Sequence, residues 1–220
     1  MRNMSKTRIL IADDHRVVIE GIRSSLRDYA EFEVVGEAFN GRQAVKLAES
    51  LQPEIVIIDI SMPDLNGLDA TLQIKKISPD IRVIIYTMHS DREFVVDLFK
   101  AGISAYVLKE DPMSDLILAI KAVSGGGTYF STMTPTILLR HIKELEDGTV
   151  EKDGFGLLSL REREVFQLLA EWKSPKEIAD TLCISPKTVE SHKYNIMAKL
   201  DLSSMGDLIK LAIRKKIVPL

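Results

Sequence analysis

Five times between residues 8 and 124 a short β-branched run gives way to an amphipathic helical stretch, and this alternation is the strongest constraint on the fold. The strand candidates are Arg8–Ala12, Phe32–Glu37, Ile55–Asp59, Arg82–Thr87 and Ala105–Leu108. Ile55–Ile58 and Val83–Ile85 are apolar at every position, the pattern of a strand covered on both faces. Helical periodicity falls near residues 17–30, 41–51, 67–77, 91–101 and 113–124. Strand then helix, repeated in this way, implies parallel pairing with right-handed crossovers. The first part of the chain is therefore expected to form a doubly wound α/β domain with a five-stranded parallel sheet.

Three glycines, Gly125-Gly126-Gly127, stop the last of these helices. Thr134-Pro135 reads as the N-cap and first-turn proline of a short helix ending near Leu145. Glu146–Gly156 mixes acids, lysine and glycine and reads as a flexible linker. From Leu160 to Ile217 only helical patterns occur, at 160–171, 174–182, 186–199 and 205–215. Ser185-Pro186 is a strong helix start, serine capping and proline in the first turn. Four short helices with tight turns suit a small all-α helix-turn-helix bundle. The expected division is an α/β domain over residues 6–125, a linker with a short helix over 126–156, and the bundle over 157–220.

Charge follows the same division. Residues 1–154 carry −6 and residues 155–220 carry +3, which hints at two different partners. The longest aliphatic run, Ile55–Ile58, is far short of the ~20 residues a membrane helix needs, so no membrane partner is expected. The apolar stretch after Arg2 and Lys6 ends at Asp13, too soon for a signal-peptide core. Cys183 is the single cysteine, which rules out an internal disulfide and fits a reducing cytoplasm. It is expected to pack as a small apolar residue.

In open α/β sheets, ligands bind beyond the carboxyl ends of the strands. Here those ends carry Asp13-Asp14, Asp59, Thr87 and Lys109. Strands one and three are expected to be neighbours, bringing three carboxylates together. Their mutual repulsion is relieved by a hard divalent cation, and Mg²⁺ suits such oxygen donors. The chemistry that follows is phosphoryl transfer to a nucleophilic aspartate, with the cation and a lysine offsetting charge on the phosphoryl group. Taken singly, each residue has a plainer reading as a helix cap, turn residue or solvated lysine. Their conjunction on successive strand ends favours the site.

Residues 6–125 resemble a response-regulator receiver domain. The resemblance is carried by Ile9-Leu10-Ile11-Ala12-Asp13-Asp14-His15, by Ile57 through Gly67 (with Asp59-Ile60-Ser61-Met62-Pro63-Asp64), by Tyr86-Thr87, and by Gly102 through Lys109. It implies that Asp59 accepts phosphate from a sensor histidine kinase. It implies that Asp14, Asp59 and the backbone carbonyl of Ser61 bind Mg²⁺, with Asp13 helping through water. Thr87 and Tyr106 resemble the family's switch pair, and Lys109 its phosphoryl-binding lysine. In one departure, the order Lys109-Glu110-Asp111-Pro112 removes the proline-assisted cis bond many receivers have after the lysine. A cis Lys109–Glu110 bond would cost about 3 kcal/mol. His89 either reaches the phosphate mouth and tunes hydrolysis or is an exposed loop residue.

Residues 158–217 resemble the LuxR-type helix-turn-helix of NarL/FixJ-type regulators, through Leu160-Arg161-Glu162-Arg163-Glu164-Val165, Lys176-Glu177-Ile178-Ala179, and Ile184 through His192 onward to Lys199-Leu200. Helical geometry places Val189, Ile196 and Leu200 inward. It places Lys187, Glu190, Ser191, Tyr194 and Ala198 on the opposite face, flanked by Thr188 and Asn195. That outward face is the one to enter the major groove of double-stranded DNA. Base-edge contacts are expected from Glu190, Ser191 and Tyr194, and phosphate contacts from Lys187, Lys193 and Lys199. Glu190 has an equal alternative as a dipole-favoured, solvated residue. Trp172 stands where relatives have glycine, so it either takes a left-handed conformation or the helix ends differently. The last helix, with Leu208, Ile209, Leu211, Ala212 and Ile213, is a candidate dimer surface, although core packing accounts for at least half of these residues.

The reading is a two-component regulator in which phosphorylation of Asp59 controls DNA binding and favours a homodimer. One alternative is a regulator whose receiver no longer uses phosphate. Another, an aspartate-nucleophile phosphohydrolase, is disfavoured because Ser61 stands where a general acid would be. Turnover of an external substrate is not expected.

Overall fold

A computed structural model describes residues 6–89, 92–131, 134–137, 139 and 154–218. These fall into two compact units.

The first unit alternates β1 (Thr7–Ala12), α1 (Arg16–Leu26), β2 (Phe32–Ala38), α2 (Gly41–Leu51), β3 (Ile55–Ile58), α3 (Gly67–Ile77), β4 (Arg82–Thr87), α4 (Arg92–Lys100), β5 (Ala105–Leu108) and α5 (Met113–Ser124). All strands pair in parallel, in the order β2-β1-β3-β4-β5-β6. The sixth strand, β6 (Tyr129–Phe130), was not expected. Two residues are too few to show a period, and β6 exists only because it pairs with Ala105 and Tyr106. Alternation along the strands builds the core. Ile9 and Ile11, Ile55 and Ile57, and Ala105 and Val107 share one cluster with Ile19, Ile22 and Leu26 of α1 and Leu116, Ile120 and Val123 of α5. The residues between them, Leu10, Val56 and Ile58, are equally buried and point to the other face. α1 ends four residues before its periodicity suggests. Tyr29 turns back to pack on the core, and the Lys121 ammonium lies 4.3 Å from its ring centre.

Asparagine starts two of these helices. Asn40 accepts from the Gln43 N–H and Asn66 from the Asp69 N–H. Residues 134–137 are helical, as Thr134-Pro135 suggests. Residue 139 is helical too; the remainder of that short helix and the chain from 140 to 153 lie outside the described residues.

The second unit begins with a 3-10 turn, Gly154–Leu157, followed by α6 (Leu160–Ala170), α7 (Pro175–Leu182), α8 (Pro186–Lys199) and α9 (Met205–Arg214). Each α-helix starts on a serine. Ser159 and Ser174 form reciprocal capping boxes with Glu162 and Glu177, and Ser185 and Ser204 accept from Thr188 and Asp207. All four end alike, on a left-handed residue that is not glycine: Trp172, Cys183, Asp201 and Lys216. After α6, the Trp172 N–H donates to Leu169 and the Lys173 N–H to Leu168, the paired bonds of a Schellman motif. The same pair recurs after α7, α8 and α9. Trp172 therefore takes the left-handed conformation (φ 62°) and points outward, 79% exposed. Cys183 does not pack inside as expected. Its own left-handed turn leaves it exposed.

Phe155, Val165, Phe166, Ile178, Val189, Ile196, Leu208 and Ala212 form the bundle core. Leu211 belongs to it as well, and Ile209 and Ile213 are partly buried against it, so the apolar face of α9 packs mainly on its own domain. Among the described residues, no helix is long and apolar enough to cross a membrane.

Candidate functional site

Strand register aligns the ends that matter. Ala12 lies opposite Ile58, Ile58 opposite Ile85, and Thr87 opposite Leu108. Asp13, Asp59 and Lys109, each one residue beyond its strand, therefore converge. The Lys109 ammonium lies 2.7 Å from Asp13 Oδ2 and 2.7 Å from Asp59 Oδ2. Asp13 and Asp59 are buried, while Asp14 stands exposed at the rim. The Asp59 Oδ1 atom accepts the Ile60 N–H at 2.7 Å, and Asp13 Oδ1 accepts the His15 N–H at 2.9 Å.

Burial pushes the Asp13 carboxyl above its ordinary range, outweighing the hydrogen bond from Lys109 that pulls it down. Burial opposes the charge on Lys109 as well, but Asp59 and Asp13 outweigh it and hold the ammonium above the usual lysine value. One cation thus ties together two buried carboxylates. Asp13, Asp14 and His15 bring ligand atoms within 4.8 Å of one another, with His15 Nδ1 2.9 Å from Asp14.

Asp59 is held from behind by a close backbone approach. A Cβ at position 67 would stand 1.9 Å from the Asp59 carbonyl oxygen, so only glycine fits. The Gly67 N–H donates to the Ile60 carbonyl at 2.7 Å.

Thr87 and Tyr106 are both buried, and both hold the main chain of one residue, His89. The His89 N–H donates to Thr87 Oγ1 at 3.4 Å, and the Tyr106 hydroxyl donates to the His89 carbonyl at 2.6 Å. The His89 ring in turn lies 2.7 Å from Ser61 Oγ through Nε2. His89 is thus a half-buried hub tied to Ser61, Thr87 and Tyr106, and is not a fully exposed loop residue. Its main-chain role left no trace in residue type. No cis peptide occurs among the described residues, so Lys109 meets its carboxylates without one.

In the second unit, Val189 and Ile196 of α8 are buried and Leu200 is half-buried against the core. Lys187, Glu190, Ser191, Tyr194, Asn195 and Ala198 are exposed, Tyr194 at 76%. Thr188 is half-buried, 2.8 Å from the capping Ser185 hydroxyl. Lys193 lies 3.9 Å from Glu190, a weak surface pair. Lys199 differs from the other lysines. Its ammonium binds the buried Glu162 carboxylate at 2.7 Å and the Leu157 carbonyl at 3.3 Å. Sequence reasoning missed Glu162, whose partner lies 37 positions away.

Residues 9–121 match the response regulator receiver domain family, and residues 156–212 match the LuxR family of bacterial regulatory proteins. The chain is 37% identical over 215 residues to the oxygen regulatory protein NreC of Staphylococcus epidermidis, covering 96% of this chain and 99% of NreC. Among solved structures, it resembles RcsB of Salmonella enterica serovar Typhimurium bound to promoter rprA in the presence of the phosphomimetic BeF3− (TM-score 0.59, 29% identity, 94% of this chain and 98% of that one). It also resembles a structure of two RcsB dimers bound to two parallel DNAs (TM-score 0.58, 27% identity, 97% and 100%).

Proposed function

The chain belongs to the two-component response regulators with a LuxR-type DNA-binding domain, and on that premise we propose that phosphorylation of Asp59 governs how α8 engages double-stranded DNA. The observation that carries this reading is the convergence of Asp59, Asp13 and Lys109 beside the buried Thr87 and Tyr106. Residues 6–125 act as the receiver, 126–156 as the linker and 157–220 as the DNA-binding domain.

Asp59 is the nucleophile. A carboxylate oxygen forms the new bond to phosphorus as the bond to the donor, a phosphohistidine of a sensor kinase, breaks. Lys109 already touches the attacking carboxylate and offsets charge on the phosphoryl oxygens. Asp14, Asp59 and the Ser61 carbonyl would hold Mg²⁺, with Asp13 helping through water. The buried Asp13 carboxylate and its close carboxylate neighbours are the hard oxygen set this cation prefers. Bound there, Mg²⁺ supplies further positive charge against the transferring group. Thr87 answers the new phosphoryl oxygens with its hydroxyl, and Tyr106 reports that change through His89. The chain modifies itself and turns over no external substrate.

On α8, Glu190, Ser191 and Tyr194 read base edges, flanked by Thr188 and Asn195, while Lys187 and Lys193 hold the phosphate backbone. Phosphorylation favours a homodimer on paired half-sites, in the cytoplasm where the DNA lies. The test is intact mass after incubation with Mg²⁺ and a small phosphodonor, with Asp59→Asn alongside. A phosphoryl adduct on the wild type alone is expected. No adduct under conditions that label another receiver would favour a phosphate-independent regulator.

A further inference from the structure

The one lysine at the end of the recognition helix is bound within its own domain. Glu162 is 4% exposed, and its Oε2 accepts from the Ser159 N–H at 2.8 Å and from Lys199 Nζ at 2.7 Å. Lys199 also donates to the Leu157 carbonyl. Next to it, a Cβ at Gly154 would touch Leu200 Cδ2 at 3.5 Å and the Lys199 carbonyl at 3.7 Å, so the 3-10 turn lies close against the end of α8. If Lys199 swung away to a DNA phosphate, it would leave a buried carboxylate without its countercharge, held only by the Ser159 cap, which is unfavourable.

We infer that Lys199 is a positioning residue: with Glu162 it pins the last turn of α8 to the first turn of α6 and so sets the angle at which the reading face meets the groove. Among the described residues, α8 is otherwise held to the core by apolar contacts of Val189, Ile196, Met197 and Leu200, which resist separation better than rotation. The ion pair supplies a directional tie at the far end. This assignment rests on the DNA-reading role of α8 and changes what Lys199 contributes: specificity rather than general affinity.

The experiment uses the full chain and two probes, the duplex it selects from a random library and a scrambled duplex of the same composition. Binding is followed by fluorescence anisotropy across a salt series. Lys199→Met is expected to leave the salt slope on scrambled DNA unchanged. It lowers the selected-to-scrambled affinity ratio by about tenfold, the worth of one base contact. Glu162→Gln, which keeps a side chain able to cap α6, gives the same loss. The double variant loses no more than either single one, and Lys199→Arg restores the ratio. Lys187→Ala, the control, lowers the salt slope by about 1. A similar slope change in Lys199→Met, or an unchanged ratio in either variant that still melts cooperatively above the assay temperature, overturns the inference. If Lys199→Met unfolds, Glu162→Gln decides. A wild type that selects no sequence overturns the DNA-reading role itself, and this inference with it.

Discussion

The two halves of the chain bury opposite things. The receiver buries the residues proposed to handle phosphate, with Asp13, Asp59, Thr87 and Tyr106 each at most 5% exposed. The helical half leaves its working face outside and buries the residues that merely hold it, Glu162 among them. The difference follows from the ligands. A phosphoryl group is small and highly charged, so it is handled best by fixed charges in a poorly solvated site. A DNA duplex is larger than the domain and can be met only by a surface. Helix endings differ too. In the receiver, left-handed residues after helices include Gly102 and Gly126 beside Gln52 at the end of α2, whereas the four α-helices of the helical half all end on non-glycine residues, Trp172, Cys183, Asp201 and Lys216.

The sharpest way to break the comparison is to remove the receiver's buried cation. Lys109→Gln leaves Asp13 and Asp59 facing each other without it. Labelling of Asp59 by the phosphodonor, followed by intact mass against time, is expected to slow by about 10²–10³-fold. A rate within threefold of wild type would mean the lysine only holds the fold together.

Next comes the backbone behind Asp59. Gly67→Ala forces a Cβ into the Asp59 carbonyl and is expected to lower stability by about 3 kcal/mol, read as a shifted urea midpoint. In the helical half, the effect depends on pH. Although burial raises it, the Glu162 carboxyl is held below its ordinary value by Lys199 and Ser159. Its contribution is therefore complete above about pH 4.5 and is lost as pH falls through the lower, folded value. Thermal melts of the chain should show Glu162→Gln less stable than wild type at pH 7, with the gap closing towards pH 3. The smallest expected effect runs the other way. Trp172→Gly relieves a left-handed side chain and should stabilise the helical half by about 0.5–1 kcal/mol in a urea titration. No gain would indicate that the exposed indole already offsets its strain.

These contrasts explain what could be read in the sequence and what could not. Strands such as Ile55–Ile58 were plain because a short β-branched run, apolar at every position and bounded by Pro53 and Asp59, suits a strand covered on both faces. The acid–lysine site was plain because sheet topology sends strand ends to one place. β6 was not, being two residues long. The exposure of Cys183 and the left-handed turn at Trp172 depend on backbone angles that residue type does not announce. The Lys199–Glu162 tie depends on how α8 lies against α6, which periodicity within one helix cannot reveal.

Thr87 and Tyr106 grip the peptide groups of His89, while the imidazole reaches separately to Ser61. On the proposed function, lever and clock are mounted on one residue but built from different atoms. The lever would work with any side chain at position 89 except proline, because every other amino acid supplies the same N–H and carbonyl. The ring is then available to set how long the signal lasts. His89→Ala should change the lifetime of the phosphorylated form while leaving its DNA response intact when it is phosphorylated. Were both lost together, the two functions would share more than a backbone. A regulator arranged this way can be retimed by a single substitution without being rewired.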